Sequence, residues 1–358
     1  QIGYGKKITK NSLMDKESSG MVEKEIAVSV TMITYGHAAY IEEAINGVLN
    51  QECTFNVELI IADDNSPDNT EEVVRKFLKD HPRKHWVRYT KHRVNKNMIN
   101  NSLWSFNQAR GKYIAICEGD DYWSDPFKLQ KQVDFLEGNP DYGLVYTKAR
   151  IYEEKTQKFW KRTLGSAISQ KGVLHANPIT ALTTMMRTDL YRLYTTEEKK
   201  MHTAWAMGDY PKWIWFYYNS KIHFMNETTA VWRKLENSAS NFVDIKKQMD
   251  FNYNTIKIQI HYGKKYLDDH EYSKLKNKNL FNYYYIALIR DPANSIQYYN
   301  EIKEIEGLQP ITKIKLFVLE KLKFKHINFI WFKIKRILKA PLLGKKENQV
   351  LKLAESLF

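Results

Sequence analysis

Gly111-Lys112-Tyr113-Ile114-Ala115-Ile116-Cys117-Glu118-Gly119-Asp120-Asp121-Tyr122-Trp123 is the stretch on which the fold turns. Tyr113 to Cys117 is a short apolar run bracketed by Gly111 and Gly119. It reads as a core strand of a sheet covered on both faces. The run then breaks into Glu118, Asp120 and Asp121, and closes on Tyr122 and Trp123. Carboxylates at the carboxyl end of a central strand stand where open α/β sheets take their ligands. Three acids this close repel one another, which calls for a cation. A hard divalent metal that also holds phosphate oxygens is the natural candidate. The same acids would equally suit a solvated turn that ends a strand.

Upstream, the pattern repeats. Residues 27–34 read as a first strand, followed by a turn at Tyr35-Gly36-His37. A helix then carries Ile41, Ala44, Ile45, Val48 and Leu49 on one face. Val57 to Ala62 reads as a second strand. It ends in Asp63-Asp64-Asn65-Ser66, and Glu71 and Glu72 open the next helix. His85 to Thr90 reads as a third strand, and a basic, Asn-rich loop leads to a helix around Leu103 to Ala109. Alternating strands and helices imply a mostly parallel sheet with helices on both faces.

Downstream, Pro126 opens a helix through Leu136, and Leu144 to Thr147 is a further strand. Residues 150–175 read as peripheral strands and a loop. Thr203 to Tyr218 reads as an aromatic-rich helix, and Ile222 to Arg233 as two short strands. From residue 243 the periodicity is helical without clear strands.

The chain has 358 residues, enough for one large α/β domain and an appendage. Two cysteines, Cys53 and Cys117, exclude a disulfide framework and point to a reducing compartment. Residues 1–25 read as a flexible leader without targeting character. No apolar run is long enough to span a bilayer as a helix. The net charge of +14 asks for a polyanionic partner. Residues 311–358 interleave lysines with Phe, Trp, Ile and Leu, a composition suited to an anionic membrane surface. A helix packed on the rest of the chain with a solvated lysine face would read the same. No nucleic-acid motif accompanies the charge.

Four features therefore stand at strand ends: Thr34-Tyr35-Gly36-His37, Asp63-Asp64, Glu118-Gly119-Asp120-Asp121, and Gly208-Asp209 in the aromatic helix region. Each alone could be a surface histidine, a helix cap or a solvated acid. Their joint placement favours a site.

The order and spacing of Thr34-Tyr35-Gly36-His37, Ile60-Ile61-Ala62-Asp63-Asp64-Asn65-Ser66, Glu118-Gly119-Asp120-Asp121-Tyr122-Trp123 and the following Asp125-Pro126 helix closely resemble the family 2 inverting glycosyltransferases. The resemblance covers about residues 26 to 240. It implies the GT-A fold, a Rossmann-like α/β arrangement. It also implies a nucleotide-sugar donor, with a UDP-sugar as the expectation, and a divalent metal, Mn2+ or Mg2+. Thr34, Tyr35, His37, Asp63, Asp64, Glu118 and Gly119 would line the donor nucleotide. Glu118 and Asp120 take the two acidic DxD positions, the first filled here by Glu. Asp120 and Asp121 would meet the metal, and Asp209 would be the catalytic base. Asn177 to Arg187 would shape the sugar and acceptor pocket. Leu235 stands where a histidine often follows the Val231-Trp232-Arg233 strand.

The implied activity is transfer of a hexosyl or N-acetylhexosaminyl group to a glycan or lipid-linked acceptor in surface polysaccharide or lipopolysaccharide synthesis. The implied location is the inner face of a bacterial cytoplasmic membrane, held peripherally. The other readings are a catalytically silent GT-A module that binds a glycan or partner enzyme, and a sugar-phosphate nucleotidylyltransferase. The second would want a Gly-rich phosphate loop, which Tyr35-Gly36-His37 is not. The expected domains are a leader (1–25), a catalytic domain (26–242), a helical extension (243–310) and a basic amphipathic segment (311–358).

Overall fold

The computed structural model describes residues 25–198, 205–236, 244–303, 305 and 307–322. Strands β1 (Ile26–Thr34), β2 (Asn56–Asp63), β3 (Val87–Lys91) and β4 (Tyr113–Ile116) alternate with helices α1 (Ile41–Leu49), α2 (Thr70–Leu78) and α3 (Met98–Asn107). These four strands are parallel, in the order β3-β2-β1-β4. The register sets Thr34 beside Asp63, and Val30 beside both Leu59 and Ala115. The carboxyl ends of β1, β2 and β4 therefore finish at one edge of the sheet.

Beyond β4 the sheet becomes mixed. Strand β5 (Tyr122–Trp123) and helix α4 (Lys128–Gly138) precede a long β6 (Tyr142–Glu153) and its hairpin partner β7 (Lys158–Leu164). Next come β8 (Met185–Arg187), α5 (Thr188–Glu197), α6 (Tyr210–Asn219) and β9 (Lys221–Lys234). The order continues β4-β8-β6-β9-β5, with β7 on the side of β6. Only β6 and β9 are parallel in this half. The two short strands read over Ile222 to Arg233 are thus one strand, β9. Its register against β6 shifts three times, and each irregularity breaks the period-two pattern while the strand runs on. The helix read from Thr203 starts at Tyr210, with Pro211 in its first turn. Residues 201–204 lie outside the described residues.

Alternation along the strands explains the two layers of helices. Val28, Val30 and Met32 of β1, with Leu59, Ile61, Tyr113 and Ala115, pack against Ile41, Ile45 and Val48 of α1 and Leu129 and Val133 of α4. Ile60, Ile114 and Ile116 face the other way, onto Phe106 of α3, Tyr191 of α5 and Trp213 of α6. Each fully buried aliphatic side chain of this kind contributes roughly 1.5–3 kcal/mol.

The C-terminal region is helical: α7 (Ile245–Tyr266), α8 (Asp269–Arg290), α9 (Ser295–Lys303) and α10 (Pro310–Leu322). Ile258 and Tyr262 of α7 and Leu275 of α8 belong to the same apolar cluster as Tyr191 of α5 and Trp213 of α6. Leu280, Tyr284 and Leu288 of α8 form a further cluster with Tyr298 and Ile302 of α9 and Leu316 and Leu319 of α10. The described start of the basic segment, residues 311–322, is thus part of a packed helix. The rest of that segment, residues 323–358, and the leader up to residue 24 lie outside the described residues. No helix among the described residues is long and apolar enough to cross a membrane.

Candidate active site

The loop after β1 is held by the turn after β2. Gly36 N donates to Ser66 Oγ at 3.0 Å, His37 N to Thr70 Oγ1 at 3.1 Å, and Ala38 N to Asp68 Oδ2 at 3.0 Å. Gly36 has a φ of +71°, which few other residues adopt without strain. The result leaves Tyr35 half exposed and brings His37 Nε2 to 4.0 Å from Asp120 Oδ2.

Asp63 and Asp64 are both buried. Asp63 spends both oxygens internally: Oδ1 accepts from Ser66 N at 2.7 Å and Oδ2 from the Tyr89 hydroxyl at 2.6 Å. Asp64 Oδ1 accepts from Lys96 N at 2.7 Å.

The loop after β4 lies against β1. Gly119 N donates to Ile33 O at 2.9 Å, and a Cβ there would sit 2.7 Å from Thr34 Oγ1. Only glycine fits this approach. Thr34 Oγ1, His37 Nδ1 and Glu118 Oε2 are buried and have no partner among the described residues. Buried polar atoms of this kind are normally satisfied, so three together mark a place prepared for a ligand or water.

Glu118, Asp120 and Asp121 occupy different environments. Burial, then the charge of Asp120, raises Glu118 to about 7; Asp209 adds to the rise and Lys212 opposes it. Asp209, far along the chain, lies near enough to the β4 loop for its charge to act on Glu118. Asp209 precedes α6, and its side chain makes no capping bond there. Asp120 is partly open to solvent, with 23% of its side chain exposed. Asp121 points inward, and its Oδ1 accepts from Arg233 N at 2.7 Å. Burial, then Asp120 and Glu118, push it well above the usual carboxylate range. Cys117 is no nucleophile: burial pushes its thiol well up.

Arg233 organises the same edge. Its Nη1 donates to Asp120 O at 3.1 Å, Nη2 pairs with Glu43, and its guanidinium lies over Tyr122 at 4.8 Å and Tyr40 at 5.2 Å.

A divalent cation fits at Asp120, whose carboxylate faces solvent next to the orphaned Glu118 Oε2 and His37. It does not fit at Asp121, which is turned to the β9 backbone. Among the described residues no three His, Cys, Asp or Glu side chains could hold a metal by themselves. A cation held mainly by substrate phosphates needs only one or two protein carboxylates.

The structure thus brings together Thr34, His37, Glu118, Gly119, Asp120 and Asp209. Asp63, Asp64 and Asp121 are buried, and Tyr35 is half exposed. Sequence reasoning assigned no role to Arg233 or Lys212. The visible signal for Lys212 was a lone lysine inside Tyr210-Pro211-Lys212-Trp213-Ile214-Trp215-Phe216.

Residues 29–204 match the family described as "Glycosyl transferase family 2". An uncharacterized protein of Mycobacterium tuberculosis is 31% identical over 215 residues, and the match covers 58% of each chain. The chain therefore spans 58% of the length of this curated relative. TuaG of Bacillus subtilis, named for a role as a teichuronic acid biosynthesis glycosyltransferase, is 33% identical over 109 residues, covering 30% of this chain and 41% of TuaG. Among solved structures, residues 1–349 of TarS from S. aureus in complex with UDP-GlcNAc superpose with a TM-score of 0.59 at 15% identity. That match covers 80% of this chain and 83% of the TarS fragment, and it is a likeness of fold.

Proposed function

We propose, on the premise that this chain carries a family 2 glycosyltransferase domain of GT-A fold, that it moves one sugar from a nucleoside-diphosphate donor to a glycan or lipid-linked acceptor, with inversion. The observation that supports the reading is that Asp120 and Asp209 both act by charge on Glu118 at the carboxyl end of β4. In this reading Glu118 and Asp120 would face the donor, and Asp209, at the start of α6, the acceptor.

In the reaction the acceptor hydroxyl oxygen attacks the anomeric carbon. Its proton passes to the Asp209 carboxylate, and the bond from the anomeric carbon to the diphosphate oxygen breaks. A single displacement inverts the anomeric centre. Asp120 would hold a divalent cation, which neutralises charge gathering on the departing diphosphate. Thr34, His37 and Glu118 would take the nucleotide, and Asp64, with an oxygen to spare, suits the base or ribose better than Asp63. The UDP-GlcNAc complex of TarS supports a UDP-sugar, and TuaG supports a surface polymer as the product. Attachment to the inner face of a bacterial membrane, through the basic C-terminal segment, belongs to the same proposal, as do the division at residue 243 and the role of segment 177–187.

A donor screen that reads nucleoside diphosphate release, with and without Mn2+ or Mg2+, tests it. Release should need an acceptor and stop on chelation. Asp209→Asn should cut turnover by about a thousandfold or more while donor binding stays intact, as loss of a base acting in the transition state requires. Turnover that survives the Asp209 change removes Asp209 from the base role. Donor or glycan binding without turnover in the unaltered protein would favour the silent module.

A further inference from the structure

Lys212 stands one turn into α6 after Asp209, and only 5% of it is exposed. Its ammonium lies 4.3 Å from the centre of the Phe106 ring, 5.2 Å from Trp213 and 5.7 Å from Tyr191. It closes no hydrogen bond or ion pair with a described residue. An ammonium buried without a hydrogen-bonded counter-ion among the described residues costs stability, and a methionine of similar length would fill the same aromatic box at lower cost. A chain that keeps a lysine here keeps it against its own stability. The charges it senses are those of Asp209 and Glu118.

The other polar groups around it are neutral or engaged. The Tyr210 hydroxyl donates to Val173 O at 2.6 Å and accepts from Gln259 of α7 at 3.1 Å. Tyr191 and Tyr194 of α5 are held as neutral phenols by burial. Helix α3 contributes the Phe106 ring.

We propose that Lys212 is a positioning residue for transfer: a buried cation beneath the site that tethers the Asp209 carboxylate electrostatically and orients it toward the acceptor. This rests on the transferase reading above. A base misplaced by a fraction of its own length loses much of its rate, and Asp209, at the start of α6 without a side-chain capping bond, has no other tether among the described residues. Burial lowers Lys212 to about 8. The tether is therefore present below that pH and fades above it.

The test uses the full chain with Lys212→Met and Lys212→Arg, read by steady-state kinetics across pH, donor binding by calorimetry, and thermal midpoint. Lys212→Met should fold with an equal or higher midpoint and bind donor as before. Its kcat should fall by about ten- to a hundredfold, and it should lack the alkaline limb near pH 8 expected of the unaltered protein. Lys212→Arg should recover a large part of kcat and carry its alkaline limb to higher pH. An unchanged kcat and pH profile in Lys212→Met overturns the proposal. So does a loss of donor binding that accounts for the whole loss of rate, or a lowered midpoint that marks Lys212 as structural. Failure of the transferase reading shows differently: the unaltered protein would release no nucleoside diphosphate from any donor, and the role proposed for Lys212 would fall with it.

Discussion

Asp120 and Asp121 are neighbours in the chain with opposite surroundings. Asp120 presents its carboxylate to solvent beside His37, whereas Asp121 accepts the backbone N–H of Arg233. Asparagine can still accept that bond, and a buried acid whose ionisation is already disfavoured loses little when made neutral. Asp121→Asn should therefore keep activity within about tenfold and keep its metal requirement, while Asp120→Asn should lose about a hundredfold or more and need far more Mn2+. Titrating activity against Mn2+ for both variants decides it, and equal losses would remove the distinction. The acids themselves were legible in the sequence, because a strand that ends in Glu118, Asp120 and Asp121 says where a ligand goes. Their directions were not. Asp121 is turned inward by the antiparallel pairing of Tyr122 with Val231, a contact between segments far apart in the chain. Lys212 was hidden for the converse reason: a lysine in an apolar helix looks like a solvated edge until α3 and α5 close over it.

At the scale of elements, the parallel half of the sheet could be read directly, since Val57 to Ala62 and Tyr113 to Cys117 are uninterrupted apolar runs between turn signals. The mixed half could not. Strand β6 is buried along Gly143–Thr147 and more open beyond, and β9 carries charged residues on its open stretch, so neither keeps one period. The docking of the helical region on the sheet domain was equally invisible, and one ion-pair cluster there can be tested. Glu198, just past α5, accepts from Lys265 Nζ of α7 at 2.7 Å and lies 3.8 Å from His261 Nε2. Burial alone would raise its pKa, but the bonds from His261 and Lys265 win and hold it at about 2. A depressed carboxylate stabilises the fold fully above its unfolded pKa near 4.5 and loses that contribution as pH falls toward 2. Lys265 is 38% exposed, so solvent screening trims the effect to about 1–2 kcal/mol. Glu198→Gln should lower the unfolding free energy obtained from urea titration by that amount at pH 7, and the gap to the unaltered protein should narrow steadily below about pH 4. A gap that persists unchanged in acid would mean that the loss is one of packing.

Over the whole molecule, the C-terminal segment contributes both packing and charge. Ile314, Leu316 and Leu319 of α10 are buried, and the Tyr284 hydroxyl of α8 donates to Glu320, so residues 310–322 belong to the helical core. Residues 323–358 hold nine Lys and Arg against two Glu, which is half of the net +14 in a tenth of the chain. These charges are interleaved with Phe324, Phe329, Ile330, Trp331 and Phe332, a mixture in which apolar side chains can enter a lipid interface while the lysines meet headgroups. Each basic residue near an anionic surface adds about 1 kcal/mol, screened by salt. A protein cut after Leu322 should therefore keep its fold and its turnover on a soluble acceptor. It should fail to co-float with vesicles of anionic lipid, and the full chain should float at low salt and release as salt rises. Cutting after residue 310 instead should lower the thermal midpoint, because it strips α10 from α8 and α9. If the chain ending at Leu322 floated as well as the full one, the attraction would lie in the folded body, and the tail would need another partner.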